Sequence, residues 1–393
     1  MEVTVKHFQK DNWQHQPDRA TFISQLVRII FFLVILGLSP LLCRAESPNI
    51  QKNINIHGGI ITDLFQNHNT DGKFAHYATD SGSDFTSTVN ESWFSLSGSL
   101  GRANGMETTF EASFDFMGEN DFEIVTAWIR IEKGNWYFLA GKAESLVATG
   151  ETTLNYDGFY SAGGIQTGAK ANQNQLQIGH KLKDHFTVAV SITDEPAQNG
   201  SMGGQQFSSK RPAVEWALLF DLTWGTGKFA GHTGDMMLDS DQHFHPAAIM
   251  AEVNVPITES ISWLISGFRA KAGSQFFTTD ILFDCILLAD GHAYEFSTTG
   301  GLTELLFQAG NMQAWVGLGT FSLTNGSKTH LRLHQPENVL TDNHRLSVGS
   351  RYNFSDHLHA GLEITRYQTT HLRDTETQTI RATSIQLQLS ITF

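Results

Sequence analysis

The chain has little of what staples a small exported domain or anchors a protein by helices. Only two of its 393 residues are cysteine, Cys43 and Cys285, too few for a disulfide framework or a thiolate metal site. Eight prolines leave long stretches of backbone able to pair in a ladder. Basic residues number 26 against 40 acidic ones, a formal net charge of −14, which disfavours nucleic acid as a partner. Beyond residue 45 no apolar run approaches the ~20 residues that a membrane-spanning helix needs. The glycine clusters match no phosphate-binding spacing followed by a helix, and no motif asks for a cofactor.

The one long apolar run, Ile29 to Leu42, follows Arg28, is interrupted by Pro40, and precedes the small residue Ala45. That is the layout of a secretory signal cut after Ala45, here with an unusually long polar extension ahead of it. Residues 1–45 are expected to be removed and 46–393 to form one barrel domain. The removed piece takes five basic and three acidic side chains with it, leaving a formal −16.

The remainder is dominated by period two. "METTFEASFDF" sets Met106, Phe110, Ala112 and Phe114 against Glu107, Thr109, Glu111, Ser113 and Asp115. "HFTVAVSIT" alternates in the same way, as do "VEWALLFDLTW", "HRLSVGSRYNF" and the terminal "SIQLQLSITF". Such alternation marks strands with one apolar and one polar face. About sixteen such segments can be counted between residues 54 and 393. The connections at 103, 132, 183, 225, 256, 309 and 355 are tight. Those at 66–91, 145–172, 195–211, 239–246, 272–292, 323–343 and 368–379 are long, and only 118–121 breaks the pattern.

Short turns at one end and long loops at the other are the plan of an all-β, transmembrane, up-and-down antiparallel β-barrel in a bacterial outer membrane. A sandwich with crossing connections has no reason to segregate its loops. An even strand count puts both chain ends on the short-turn side. Phe393 then ends a strand that closes the seam, and a terminal aromatic after alternating apolar residues resembles the C-terminal signature of bacterial outer-membrane barrels, which implies recognition by barrel-assembly machinery. About sixteen strands enclose water, whereas eight fill with side chains. The third connection on the long-loop rim, residues 144–173, counting the short 118–121 as the second, is rich in glycine with Tyr156, Phe159 and Tyr160 and is expected to fold inward and narrow the bore. Trp93, Trp128, Trp136, Trp224, Tyr352 and Tyr367 are expected in aromatic girdles at the two interfaces.

The segments "METTFEASFDF", "FEIVTAWIRI", "WYFLAGKAESLV", "LNYDGF", "NQLQIGHKL" and "HFTVAVSITDEPA", in that order, resemble the DcaP-like trimeric outer-membrane porins. The resemblance covers about residues 54–200 and the last strand. It implies a homotrimer of sixteen-stranded channels with an inward third loop, passing small hydrophilic solutes, among them organic anions such as dicarboxylates. The sequence departs from that pattern in lacking a tryptophan in "GKAESLV", in carrying Lys142 where glutamine is usual, and in having no heptads after residue 45.

Charges on facing walls of a narrow wet region set selectivity in a pore. The candidates are Glu107, Glu111 and Asp115 on the third strand, Arg345 and Arg351 on the fourteenth, Lys142 and Glu144 at the start of the third loop, and Asp157 within it. Each could equally be a solvated wall residue. An outer-membrane hydrolase is the alternative of another class, but Glu107 and Glu111, four apart on one strand, would be about 13 Å apart, too far for paired-carboxylate chemistry. An adhesive β protein is a further alternative. Asp239, Asp241, His243 and His245 in "DSDQHFHP" have the residue types of a metal site, though a polar loop tip explains them as well, and no metal site is assigned.

Overall fold

The computed structural model describes residues 53–69, 83–88, 93–103, 105–115, 123–148, 172–194, 207–209, 211–238, 243–272, 285–287, 293–324, 339–373 and 376–393. The signal segment, Asp157, Asp239 and Asp241 lie outside the described residues.

From the amino end come β1 (Asn53–Asn69), β2 (Ser83–Thr88), β3 (Trp93–Ala103), β4 (Met106–Asp115), β5 (Glu123–Lys133), β6 (Trp136–Glu144), β7 (Asn172–Lys183) and β8 (Phe186–Thr193). Next are β9 (Phe207–Ser209), β10 (Ala213–Leu222), β11 (Gly225–Thr233), β12 (Met236–Leu238), β13 (His243–Phe244), β14 (Ala247–Thr258) and β15 (Ile261–Lys271). Last are β16 (Cys285–Leu287), β17 (Ala293–Glu295), β18 (Ser297–Ala309), β19 (Met312–Leu323), β20 (Val339–Ser355), β21 (Leu358–Arg373) and β22 (Glu376–Thr392).

Seventeen of these belong to one antiparallel sheet. The number of staves is sixteen, because β1 pairs with β3 along Asn53–Gly59 and with β2 along Asp63–His68, so the two share one place in the wall. The wall closes where β22 pairs with β1 from Gly59↔Thr392 to Asn69↔Ala382. Gly58 and Phe393 exchange both backbone hydrogen bonds, at 3.0 and 2.9 Å, and the Phe393 ring lies over Gly58, where an added Cβ would come within 2.4 Å of it. Closure removes the unpaired edges that an open sheet would present.

The tight turns fall where the sequence places them. Gly134 and Gly310 take φ of 58° and 57°, a left-handed conformation that glycine adopts without steric cost. At the other rim the structure differs from expectation. β20 begins at Val339, β21 runs to Arg373 and β22 starts at Glu376, so most of the expected loop 368–379 is strand. The segment expected at 293–308 divides at the buried Phe296. Strands β9, β13 and β16 occupy parts of the expected long connections, and they pair with β12 and β17, which are pieces of the segments expected as strands at 227–238 and 293–308. Upper strand ends such as "RYQTTHLR" carry polar residues on both faces, and where both faces meet water the alternation that betrays a strand disappears.

The wall is turned inside out relative to a soluble protein. On β22, Ile385, Leu387, Leu389 and Ile391 are 40–49% exposed while the intervening Gln386 and Gln388 are 3% and 4% exposed. The same inversion holds on β7, where Leu176 and Ile178 are exposed and Gln173, Gln175 and Gln177 buried, and on β10 with Val214 and Trp216 against Glu215. An outward apolar surface on a closed sheet is what lipid requires, since every backbone group is satisfied within the wall.

Candidate functional site: the barrel lumen

Register assigns the inward face. Ser113 on β4 pairs with Ser95 and Thr126, and Glu111 pairs with Ser97 and Trp128. Glu107, Glu111 and Asp115 therefore share the inward column of β4. Thr126 donates to Glu111 Oε1 at 2.9 Å. On β20, Arg345 pairs with Gly319 and Tyr367 and is 2% exposed, and Arg351 is in the same column. The acidic and basic candidates are thus both inward, but β4 and β20 are separated by β3, β1, β22 and β21 around the ring. They stand about a third of the circumference apart rather than on facing walls.

Lys142 and Glu144 are elsewhere. They share the parity of Trp136 and Phe138, which are 54% and 43% exposed, while Tyr137, Leu139 and Ala143 between them are buried. Both belong to the outward column, and Lys142 Nζ donates to the Ile124 carbonyl on the neighbouring strand at 2.6 Å. Trp128 pairs with the inward Glu111 and Gly141, and Tyr367 is buried beside Arg345. These two aromatics face the lumen and do not belong to a girdle. Trp136, Trp224, Tyr352 and Phe354 do lie exposed beside tight turns, where a belt at the short-turn interface would be.

The inner face also carries groups that the sequence reading passed over. Arg130 is 2.7 Å from Glu132 and stacks 3.9 Å above the Tyr137 ring. Gln177 donates to the Tyr137 hydroxyl at 2.6 Å. On the far side Trp315 Nε1 donates to Glu363 at 2.8 Å, and Thr365 donates to the same carboxylate at 2.8 Å. The Trp315 ring fills the space beside Gly349, where an added Cβ would stand 2.3 Å from it.

Glu215 is engaged from two directions. It is fully buried, yet it accepts from Ser145 Oγ at 2.7 Å and from the Leu146 backbone N–H at 2.8 Å. His232 Nδ1 lies 3.2 Å away on β11. Ser145 follows the end of β6, three staves from β10 in the ring. Residues 145–148 are all buried, and Leu146 and Val147 join a cluster with Ala189, Ala217, Ala230, Ala248 and Met250. Those residues lie on inward columns of β8, β10, β11 and β14. Small side chains there let the segment approach the wall closely, and a carboxylate with two donors from one turn fixes its place. The spacing of Ser145 and Glu215, seventy residues apart, left no local signal; the inward position of Glu215 in "VEWALLFDLTW" was the only clue.

Among the described residues no group of three or more His, Cys, Asp or Glu is placed to hold a metal ion. His243 Nδ1 instead lies 3.0 Å from Asp235 Oδ1, with His245 Nδ1 at 3.7 Å.

Solved structures share this architecture. The outer-membrane channel DcaP of Acinetobacter baumannii superposes with a TM-score of 0.74 at 12% identity, covering 87% of this chain and 97% of that one. The fold is a porin fold. An anion-selective porin from Comamonas acidovorans matches with a TM-score of 0.60 at 12% identity over 87% of this chain and all of that one. OmpT of Vibrio cholerae in its trimer form matches at 0.57 and 9% identity, over 87% and 99%. No protein-family model and no curated relative matches the sequence. At such identities the porin likeness concerns the path of the backbone, and the lumen side chains have to be read from this chain alone.

Proposed function

We propose that the chain is an outer-membrane porin, a water-filled diffusion channel for small hydrophilic solutes. The observation that carries this reading is the inversion of the two faces around a closed sixteen-stave wall: exposed apolar columns outside, and Gln, Ser, Glu and Arg columns inside. A lumen lined this way has no driving force to collapse and favours water and ions over apolar solutes.

Residues 145–148, held by Glu215, start the third connection of the long-loop rim inside the bore, and the continuation of that connection across it would form the constriction. Glu107, Glu111, Asp115, Arg345 and Arg351 would then shape the field that a solute crosses. Small organic anions such as dicarboxylates are the solutes that Arg130, Arg345 and Arg351 would assist, because guanidinium groups pair with carboxylates in a fixed fork. Assembly as a homotrimer, exported by a signal ending at residue 45 and inserted by barrel-assembly machinery that reads Phe393, completes the proposal.

Liposome swelling tests it. Vesicles containing residues 46–393 should swell in small neutral sugars, more slowly as the sugar grows, and faster in a four-carbon dicarboxylate than in a neutral solute of its size. Inserted, heat-modifiable protein that admits none of these solutes contradicts the channel. Equal rates for the dicarboxylate and its neutral match contradict only the anion preference.

A further inference from the structure

The outer face of β15–β22 is not uniformly suited to acyl chains. Register aligns Trp263, Leu305, Val316, Val348, Ile364 and Ile385 as a row across six strands, and every one is an exposed apolar side chain. Two residues closer to the long-loop rim the row reads Ile265, Thr303, Leu318, Leu346, Arg366 and Thr383. Two residues further it reads Gly267, Gly301, Thr320, His344, Gln368 and Arg381. The apolar band therefore ends within these rows, and cations begin where it ends.

A groove of ≈ 560 Å³ spans the last two rows, with Ile265, Leu318 and Leu346 on its apolar side and Arg366, His344 and Gln368 on its polar side. Beside it Gly267 pairs with Gly301, and a Cβ on Gly267 would meet nothing nearer than a backbone oxygen at 3.8 Å. The space over Gly267 is therefore open, whereas an added Cβ on Gly301 would stand 2.5 Å from the Ser266 carbonyl oxygen, so the hollow lies at Gly267. His344 is oriented by Thr320, its Nδ1 3.2 Å from the hydroxyl. The nearest carboxylate in the following row, Asp342, is engaged by Ser322 Oγ at 2.5 Å. Arg366, with Arg381 one row beyond it, stands on the headgroup side of the band.

We infer that this groove binds a phosphate-bearing lipid of the outer leaflet, an inference that rests on the outer face meeting lipid. One acyl chain lies along Leu318, Leu346 and Ile265 into the hollow at Gly267. The phosphate meets Arg366, whose guanidinium reaches past the apolar row on its own stem and presents paired donors matched to phosphate oxygens. His344 and Gln368 supply further donors. A free anion would use only the upper row, and an uncharged lipid only the lower one. The combination of apolar hollow and cationic rim selects a molecule that has both parts.

The test is native mass spectrometry of the full mature chain in a neutral detergent, titrated with phosphatidic acid, with phosphatidylcholine of the same acyl chains, or with inorganic phosphate. Phosphatidic acid should be retained about tenfold better than phosphatidylcholine, and Arg366→Gln should remove most of that preference, as loss of a charge-assisted pair implies. Gly267→Leu, which fills the hollow and leaves the charges, should weaken both lipids. Lys133→Gln, at the opposite rim, should change neither. Equal retention of the two lipids, an Arg366→Gln variant indistinguishable from the parent, or inorganic phosphate displacing phosphatidic acid at equal concentration overturns the site. A chain that conducts normally but fails in one of these ways refutes the lipid site alone. One that neither inserts nor retains any lipid refutes the membrane barrel beneath it.

Discussion

On β22, Leu387 and Gln388 are neighbours in sequence, yet one is 48% exposed and the other 4%. In a soluble strand the leucine would be the buried member. Here the larger environment is lipid outside and water inside, and the same backbone alternation serves both. The difference teaches that the hydrophobic pattern of a strand locates its faces but not the solvent each one meets; closure of the sheet and the position of the polar column decide that.

The comparison breaks most sharply with a charge. Leu387→Arg should destabilise the barrel by ~2–4 kcal/mol in lipid vesicles, read from urea unfolding, because the guanidinium is placed near the middle of the bilayer. Gln388→Arg, one residue away, should fold within about 1 kcal/mol of the parent, since its side chain enters a wet lumen. Equal losses at the two positions would erase the distinction between the faces.

The inner face can be sharpened at Glu215. Replacing it by alanine removes the acceptor of Ser145 and Leu146, at a cost of about 1–3 kcal/mol to the attachment of that turn. Hydrogen exchange at the Leu146 amide should then speed up by roughly ten- to hundredfold while the barrel stays heat-modifiable. Unchanged exchange would mean that the alanine patch alone holds residues 145–148. At the seam, deletion of Phe393 removes the backbone exchange with Gly58 and the ring that covers it, and should lower stability by about 1–3 kcal/mol, seen as a lower melting temperature of the folded band on a gel. The smallest effect is electrostatic. Arg345→Gln should move the ratio of anion to cation permeability toward cations by up to about fivefold, the equivalent of ~1 kcal/mol of Coulomb energy in water. An Arg345→Gln channel with the parent reversal potential would remove Arg345 from the selective region.

Much of the wall was legible in the sequence because alternation is local. β4, β8 and β22 announce themselves through residues such as Phe110, Val190 and Leu387, and the turns through Gly134 and Gly310. What was not legible depended on a reference beyond the strand. β6 puts Leu139 and Ala143 inward and Lys142 outward, so composition alone assigned Lys142 and Glu144 to the bore. Bulges at Leu100 on β3, between Ser99 and Gly101, and at Val125 on β5, opposite Ser113 and Phe114, shift parity partway along those strands. The upper ends of β20, β21 and β22 were hidden because Gln368, Thr369 and Thr370 are polar on either side. Within the lumen, Glu107, Glu111, Asp115, Arg345 and Arg351 share the inward face that their polar columns suggested. The hold of Glu215 on Ser145 is a contact between distant segments, which no local pattern encodes.

The most direct test of the central claim is the current through single molecules of residues 46–393 in a planar bilayer, under a salt gradient. A wet lumen predicts stable ohmic steps on insertion, in groups of three if the assembly is a trimer. Folded, inserted protein that passes no current would contradict the open channel, whatever the faces of its wall.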